Sequence, residues 1–429
     1  MAHAKNNSDL DAIIQSFENG KIEIGVAVQA LSRRKNIYGY NEIKPLNPAS
    51  TMKALTSIAS LRYLGPDYTY NTFITTDQHY ENGINHLYIK GSGDPTITIA
   101  RFEHIAKMLK GLGITEIRGN IAIDNSYFLK DPELPSSLKR HMATNAALVL
   151  NPRWIESESK QELGDRMQTE ELASLRAELP QYKAPELMRP TKENSKIQNR
   201  DKSLPRSRNI RHADPVRQAG ETLKDVFLRN DIAVKGQVVV GIDQGFIVLF
   251  EDPSEPLVNI LKEVNKKSNN FMAEMVLKGL SAERMGPPGS MQKGALFLSS
   301  FLSYNGVNSK EYNIVNGSGL SRDNRISANA LTQTLTYAWR DSEIRKPFLE
   351  TLPIAGIDGT LRRRLLTPEL AGNVRAKTGT LNDTCALTGY LKTKSGKDLA
   401  FTILVNGPGA GGKYYALQEQ LLKALYEKF

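Results

Sequence analysis

The spacing of apolar residues divides the chain into helix-and-strand regions at both ends and a longer, mostly strand-like and irregular middle. Residues 10–17 carry apolar side chains at helical intervals and stop before Gly20. Residues 24–31 and 37–40 have strand texture, with Arg33, Arg34 and Asn36 marking the turn between them. Pro48-Ala49-Ser50 leads into an apolar helical run at 52–64, which Gly65 and Pro66 stop. From 68 to 99 the pattern is mostly strand-like, with clusters at 73–75 and 87–89. Residues 101–112 then predict a helix and 117–124 a strand.

The texture changes after Asn151. Residues 156–180 are polar, with a helix candidate at 169–179. Residues 192–211 carry Lys192, Lys196, Arg200, Lys202, Arg206, Arg208 and Arg211 among few large apolar side chains. That composition is linker-like, so 152–212 is expected to be a mobile or atypical insertion. Order is expected to resume at Asp214, with a helix to 229 and a strand at 237–240. Helical texture returns at 257, and the last third predicts strands at 373–377, 386–392 and 399–405 before a closing helix at 414–429. The whole reads as an α/β domain interrupted by a long insertion.

Composition narrows the function classes. A chain of 429 residues exceeds one ordinary core and implies two or three domains. The net charge of +10 suits anionic headgroups, acidic polymers or nucleic acid. No groove-reading helix motif or aromatic-basic RNA signature accompanies it, which argues against nucleic acid. Cys385 stands alone, so no intramolecular disulfide forms. His3, His79, His86, His104, His141 and His212 lack metal-ligand spacing, and no metal or cofactor is expected. No stretch is long and apolar enough to span a membrane. Ala-His-Ala at 2–4 fits the small-residue tail of a signal peptide, which predicts a periplasmic protein whose export signal has been removed; a native cytosolic start is the alternative.

Candidate chemistry begins with Ser50-Thr51-Met52-Lys53. A serine opening a helix sits at the positive end of the dipole, and a lysine three residues on returns to the same face, within reach of the hydroxyl. A lysine left neutral by burial can serve as general base. The Ser-x-x-Lys spacing also starts at Ser32, Ser136, Ser157 and Ser290, where a surface Ser and Lys is the ordinary reading. Only Ser50 follows a Pro-Ala loop and opens a long apolar helix; Ser290, after Pro287-Pro288-Gly289, is the strongest competitor. Ser268-Asn269-Asn270 precedes another helical run, where a simple N-cap would also fit. Its chemical use would be a hydroxyl relaying a proton to a leaving amine and an amide orienting substrate. Lys377-Thr378-Gly379-Thr380 ends a strand-like run and could be a plain hairpin edge. Functionally, Lys377 and Thr378 would hold a carboxylate, Gly379 would admit a close backbone, and the Thr380 N–H would join that of Ser50 in an oxyanion hole.

In this order, Ser50-x-x-Lys53, Ser268-x-Asn270 and Lys377-Thr378-Gly379 resemble the three-part set of penicillin-binding proteins and serine β-lactamases. The long gap between Ser50 and Ser268 is similar to that of the low-molecular-mass class C penicillin-binding proteins, the D-alanyl-D-alanine carboxypeptidase/endopeptidase family. The stretches 91–95, 316–322 and 352–361 also look like this family. The resemblance implies a multi-domain α+β fold: a penicillin-binding/β-lactamase-like transpeptidase domain with an antiparallel sheet flanked by helices. Residues 1–66 and 254–429 would form that domain, split by a β-rich insertion at 67–253. It implies a serine DD-peptidase that cleaves D-Ala-D-Ala, and D-Ala-diaminopimelate cross-links, through an acyl-enzyme on Ser50. Peptidoglycan stem peptides and β-lactams would be its partners, with peripheral contact to a membrane or acidic wall polymer. Arg322 matches a family position that meets the diaminopimelate end of the stem. Asn269 stands where many relatives carry aspartate, and Asn382 replaces a frequent glutamine. A β-lactamase and a wall-binding module with a relic site are the rival readings. Residues 407–413 nearly form a phosphate-binding loop, but Tyr414 occupies the position that should hold magnesium.

Overall fold

The computed structural model describes residues 7–32, 35–129, 148 and 214–429. In chain order, α1 (Ser8–Phe17) precedes strands β1 (Glu23–Ala30) and β2 (Lys35–Tyr40), then α2 (Met52–Leu64). Next come β3 (Asn71–Thr76), β4 (Leu87–Gly91), α3 (Ile99–Gly111), β5 (Ile121–Asp124), α4 (Pro215–Arg229), β6 (Val238–Val240) and β7 (Ile247–Pro253). Helices α5 (Leu257–Lys266), α6 (Asn270–Met285), α7 (Met291–Tyr304), α8 (Ala328–Arg340) and α9 (Ser342–Thr351) follow. Strands β8 (Val374–Leu381), β9 (Thr384–Lys392) and β10 (Asp398–Asn406) lead to α10 (Tyr415–Lys428).

The ends of the chain build one sheet. Its five strands run β8-β9-β10-β1-β2, every neighbouring pair antiparallel. Period-two alternation gives both faces a core. Leu399, Phe401, Ile403 and Val405 pack toward α1 and α10, while Ala400 and Leu404 join the helical layer containing α2, α6 and α8. β8 is an edge strand, and that edge faces the turn bearing Ser50.

The intervening stretch forms a second five-stranded sheet, β6-β5-β4-β3-β7, with parallel pairing on the β6 side and antiparallel pairing on the β7 side. Phe102 and Ile105 of α3 and Leu223, Val226 and Phe227 of α4 bury one face. Caps fix where these helices start: the Thr98 hydroxyl accepts from Arg101 N and the Asp214 carboxylate from Val216 N.

Three differences from the sequence reading have local causes. Asn36 lies within β2 rather than a turn, its side chain accepting from Gln29 Nε2 at 2.7 Å. β8 does not stop at Lys377 but pairs with β9 as far as Leu381 opposite Thr384. β7 escapes the pattern because it is an edge strand with exposed Val248. The helix candidate at 169–179, and Ser136 and Ser157, lie outside the described residues. Among the described residues no helix is long and apolar enough to cross a membrane.

Candidate active site

Ser50 sits in a short 3-10 turn, Ala49–Thr51, at the mouth of α2. The turn is pinned on both sides. Ala49 N donates to Asn47 Oδ1 at 2.8 Å, and Asn47 exchanges hydrogen bonds with the side chain of Asn406 on β10 at 2.6 and 3.0 Å. Ala49 holds a left-handed φ of 45°, a conformation a non-glycine residue keeps only when its surroundings impose it.

Lys53, the second residue of α2, is fully buried. Its Nζ lies 2.9 Å from Ser50 Oγ, 2.6 Å from Asn270 Oδ1 and 2.6 Å from the Ser318 carbonyl oxygen. A neutral amine has two N–H donors and one lone pair. Two of these neighbours are pure acceptors, so they can take both hydrogens and turn the lone pair toward the Ser50 hydroxyl.

Asn269 and Asn270 divide their work. Asn269 is the N-cap of α6, its Oδ1 accepting from Met272 N at 3.2 Å, so the capping role falls on this residue. Asn270, one residue on, turns its side chain to Lys53. Ser268 just before them has φ 56°, and its Oγ lies 3.0 Å from Lys377 Nζ. Lys377 is fully buried on β8, and that burial pushes its pKa down to about 7.

Gly379 answers for the approach of β8 to the serine turn. A Cβ there would lie 2.7 Å from Pro48 O and 3.1 Å from Ser50 N. The Thr378 hydroxyl donates to Thr360 Oγ1 at 2.8 Å, and the exposed Thr380 hydroxyl lies 3.2 Å from Tyr415 OH. Arg322 stands at the rim, half exposed and paired with Asp383.

Thus Ser50, Lys53 and Asn270 meet in one contact set and Ser268 and Lys377 in a second, with Gly379 against the serine amide. Thr378, Thr380 and Arg322 spend their side chains on Thr360, Tyr415 and Asp383. Ser290, the competing serine, caps α7 by accepting from Lys293 N at 3.1 Å. Its lysine partner turns away to the carbonyls of Gly286 and Pro288. The glycine-rich stretch before α10 forms a turn and the 3-10 segment Gly411–Tyr414. Among the described residues no group of three or more His, Cys, Asp or Glu side chains could hold a metal ion.

Four contributors had no role in the sequence reading: the Ser318 carbonyl, Glu274, Thr360 and Tyr415. Ser318 and Thr360 fall in stretches already noted for resemblance, but a backbone carbonyl carries no side-chain signature.

The chain is similar to known proteins along most of its length. It is 25% identical over 434 residues to the D-alanyl-D-alanine carboxypeptidase DacB of Haemophilus influenzae, covering 94% of this chain and 89% of that one. It is 28% identical over 464 residues to the D-alanyl-D-alanine carboxypeptidase of Actinomadura sp. (strain R39), covering 98% and 84%. Among solved structures, penicillin-binding protein 4 of Haemophilus influenzae matches with a TM-score of 0.73 at 22% identity over 99% of both chains. A predatory endopeptidase of Bdellovibrio bacteriovorus matches with a TM-score of 0.56 at 17% identity, over 94% of this chain and 91% of that one. These structural matches show a shared fold, the mixed architecture that the motif order implied. The profile of one family runs from residue 6 to residue 416. The chain belongs to the D-Ala-D-Ala carboxypeptidase 3 (S13) family.

Proposed function

We propose that this serine D-Ala-D-Ala carboxypeptidase works by acyl transfer on Ser50, with Lys53 as general base. The observation that carries the reading is the setting of Lys53 Nζ, 2.9 Å from Ser50 Oγ with two carbonyl acceptors behind it. Lys53 takes the hydroxyl proton as Ser50 Oγ bonds to the carbonyl carbon between the two D-alanines. The oxyanion is met by the N–H groups of Ser50 and Thr380. Lys377 and Thr378 receive the free terminal carboxylate, and Gly379 lets the substrate backbone lie along β8. The C–N bond then breaks, and the proton taken up by Lys53 reaches the departing D-alanine amine through the Ser268 hydroxyl, 3.0 Å from Lys377 Nζ, so that Ser268 is restored and Lys53 is left neutral. Water attacks the Ser50 ester, its proton passing to the neutral Lys53 and on to Ser50 Oγ as the ester C–O bond breaks, which frees the shortened stem peptide and restores both side chains.

The same steps cleave a D-Ala-diaminopimelate cross-link when the leaving amine belongs to a second stem. A β-lactam enters the same chemistry, but its leaving amine stays tethered to the acyl group and blocks water. Arg322, paired with Asp383 at the rim, would meet the diaminopimelate end. The substrate is a wall polymer, so we infer an exported, periplasmic enzyme, which fractionation of the producing cells would show.

Intact-protein mass spectrometry after penicillin exposure tests the assignment. A covalent adduct mapping to Ser50 and lost in Ser50→Ala is expected. An adduct on Ser290 would overturn it.

A further inference from the structure

Glu274 lies four residues along α6 from Asn270, so both side chains leave the same face of that helix. It is buried, with 4% of its surface exposed. One carboxylate oxygen accepts from Gly317 N at 3.2 Å and the other from Ser318 N at 2.9 Å. Burial pushes its pKa up, while the hydrogen bonds from Ser318 and Gly317 and the charge of Lys53 act the other way.

The gripped segment touches the reaction machinery at three points. Gly317 O accepts from Thr56 Oγ1 on α2 at 2.9 Å. Gly319, at φ 80°, lies so close to Ala49 that a Cβ would stand 1.8 Å from the Ala49 carbonyl oxygen. Ser318 O is the second carbonyl acceptor of Lys53. Helix α6 therefore reaches Lys53 twice, directly through Asn270 and indirectly through the backbone that Glu274 holds.

We propose that Glu274 is a positioning residue for acylation: by accepting both amides it fixes the Ser318 carbonyl that aims the Lys53 amine at Ser50. The inference rests on the role of Lys53 proposed above. Its chemistry demands a carboxylate with full reach. Two adjacent N–H donors need two acceptor oxygens, and a glutamine offers only one, setting its NH2 against the other N–H. An aspartate keeps both oxygens but withdraws them by one methylene.

The test is the rate of penicillin acylation, followed by mass in the whole protein, for the wild type, Glu274→Gln, Glu274→Asp, Lys53→Ala and the Glu274→Gln/Lys53→Ala pair. In a folded Glu274→Gln variant the rate should fall about 10- to 100-fold, the range a displaced catalytic group produces. The melting temperature gauges folding, and Glu274→Asp serves if the glutamine variant unfolds. Because Glu274 acts through Lys53, adding Glu274→Gln to Lys53→Ala should slow acylation no further. A wild-type rate in the folded variant, or the same fold-loss on top of Lys53→Ala, would sink the inference. A wild type that never acylates at Ser50 would instead sink the proposed function.

Discussion

The two lysines of the site are both buried, yet their surroundings differ. Lys53 meets three oxygen partners on Ser50, Asn270 and Ser318, whereas Lys377 meets one hydroxyl and its neighbour's carbonyl. With its pKa pushed down to about 7 by burial, Lys377 is cationic below neutrality and loses its proton as the pH rises through that value. Only the cation attracts a carboxylate strongly. The second-order rate of acylation by a penicillin, measured well below saturation, reports the free enzyme. It should therefore fall about tenfold for each unit above roughly pH 7, where log rate tracks the protonated fraction of a single group. Lys377→Arg, always charged, should lose that limb even if its rate is lower throughout. A wild-type profile flat to pH 9 would remove Lys377 from carboxylate binding.

At the scale of elements, the reading from sequence succeeded where one side-chain pattern decides one local outcome. The apolar run after Ser50 and the left-handed Gly65 bound α2 as expected, with φ 90° at the glycine. Ser50 and Lys53 were legible because their spacing falls between a Pro-Ala loop and a long apolar helix; the same spacing at Ser290 leaves Lys293 turned away to the Gly286 and Pro288 carbonyls. The third motif was legible as residues but not as geometry, since β8 continues four residues past Lys377 to keep its ladder with β9. No local signal reports such pairing, because the partner strand supplies the bonds. The Ser318 carbonyl was hidden for a related reason: its role depends on backbone position fixed from α6. The β8 contact gives its own test. In Gly379→Ala the new methyl meets Pro48 O and Ser50 N, both backbone atoms of the pinned turn, so the strand must yield. Acylation should slow while stability drops by about 1–3 kcal/mol, the usual cost of overpacking. Chemical denaturation and the penicillin rate read the two effects; a variant unchanged in both would mean that β8 does not bear on the serine turn.

At the scale of the whole molecule, the second sheet is tied to the catalytic half by a continuous buried layer that runs from α3 and α4 to α2, α5 and α6. Near that junction Asp252 of β7 is buried with 2% exposure, its carboxylate 2.7 Å from the Arg101 guanidinium of α3. Burial nevertheless raises its pKa to about 6, with Asp94 adding to the rise and Arg101 opposing it. A folded pKa above the unfolded value of 3.8 means that the folded state binds the proton more tightly. Asp252 therefore contributes most favourably in acid and costs stability progressively as the pH climbs from about 4 through 6. Asparagine carries no such titration. The stability of Asp252→Asn relative to wild type should accordingly improve by about 2.5 kcal/mol between pH 4 and pH 7, a little under two units at 1.4 kcal/mol each. Its absolute sign depends on Arg101, which loses its charged partner, but the pH slope does not. Denaturant titrations of both proteins at matched pH values measure that slope. A difference constant across pH 4–7 would show that the Arg101 pairing, not burial, governs this carboxylate and that the junction between the two sheets is not strained by it.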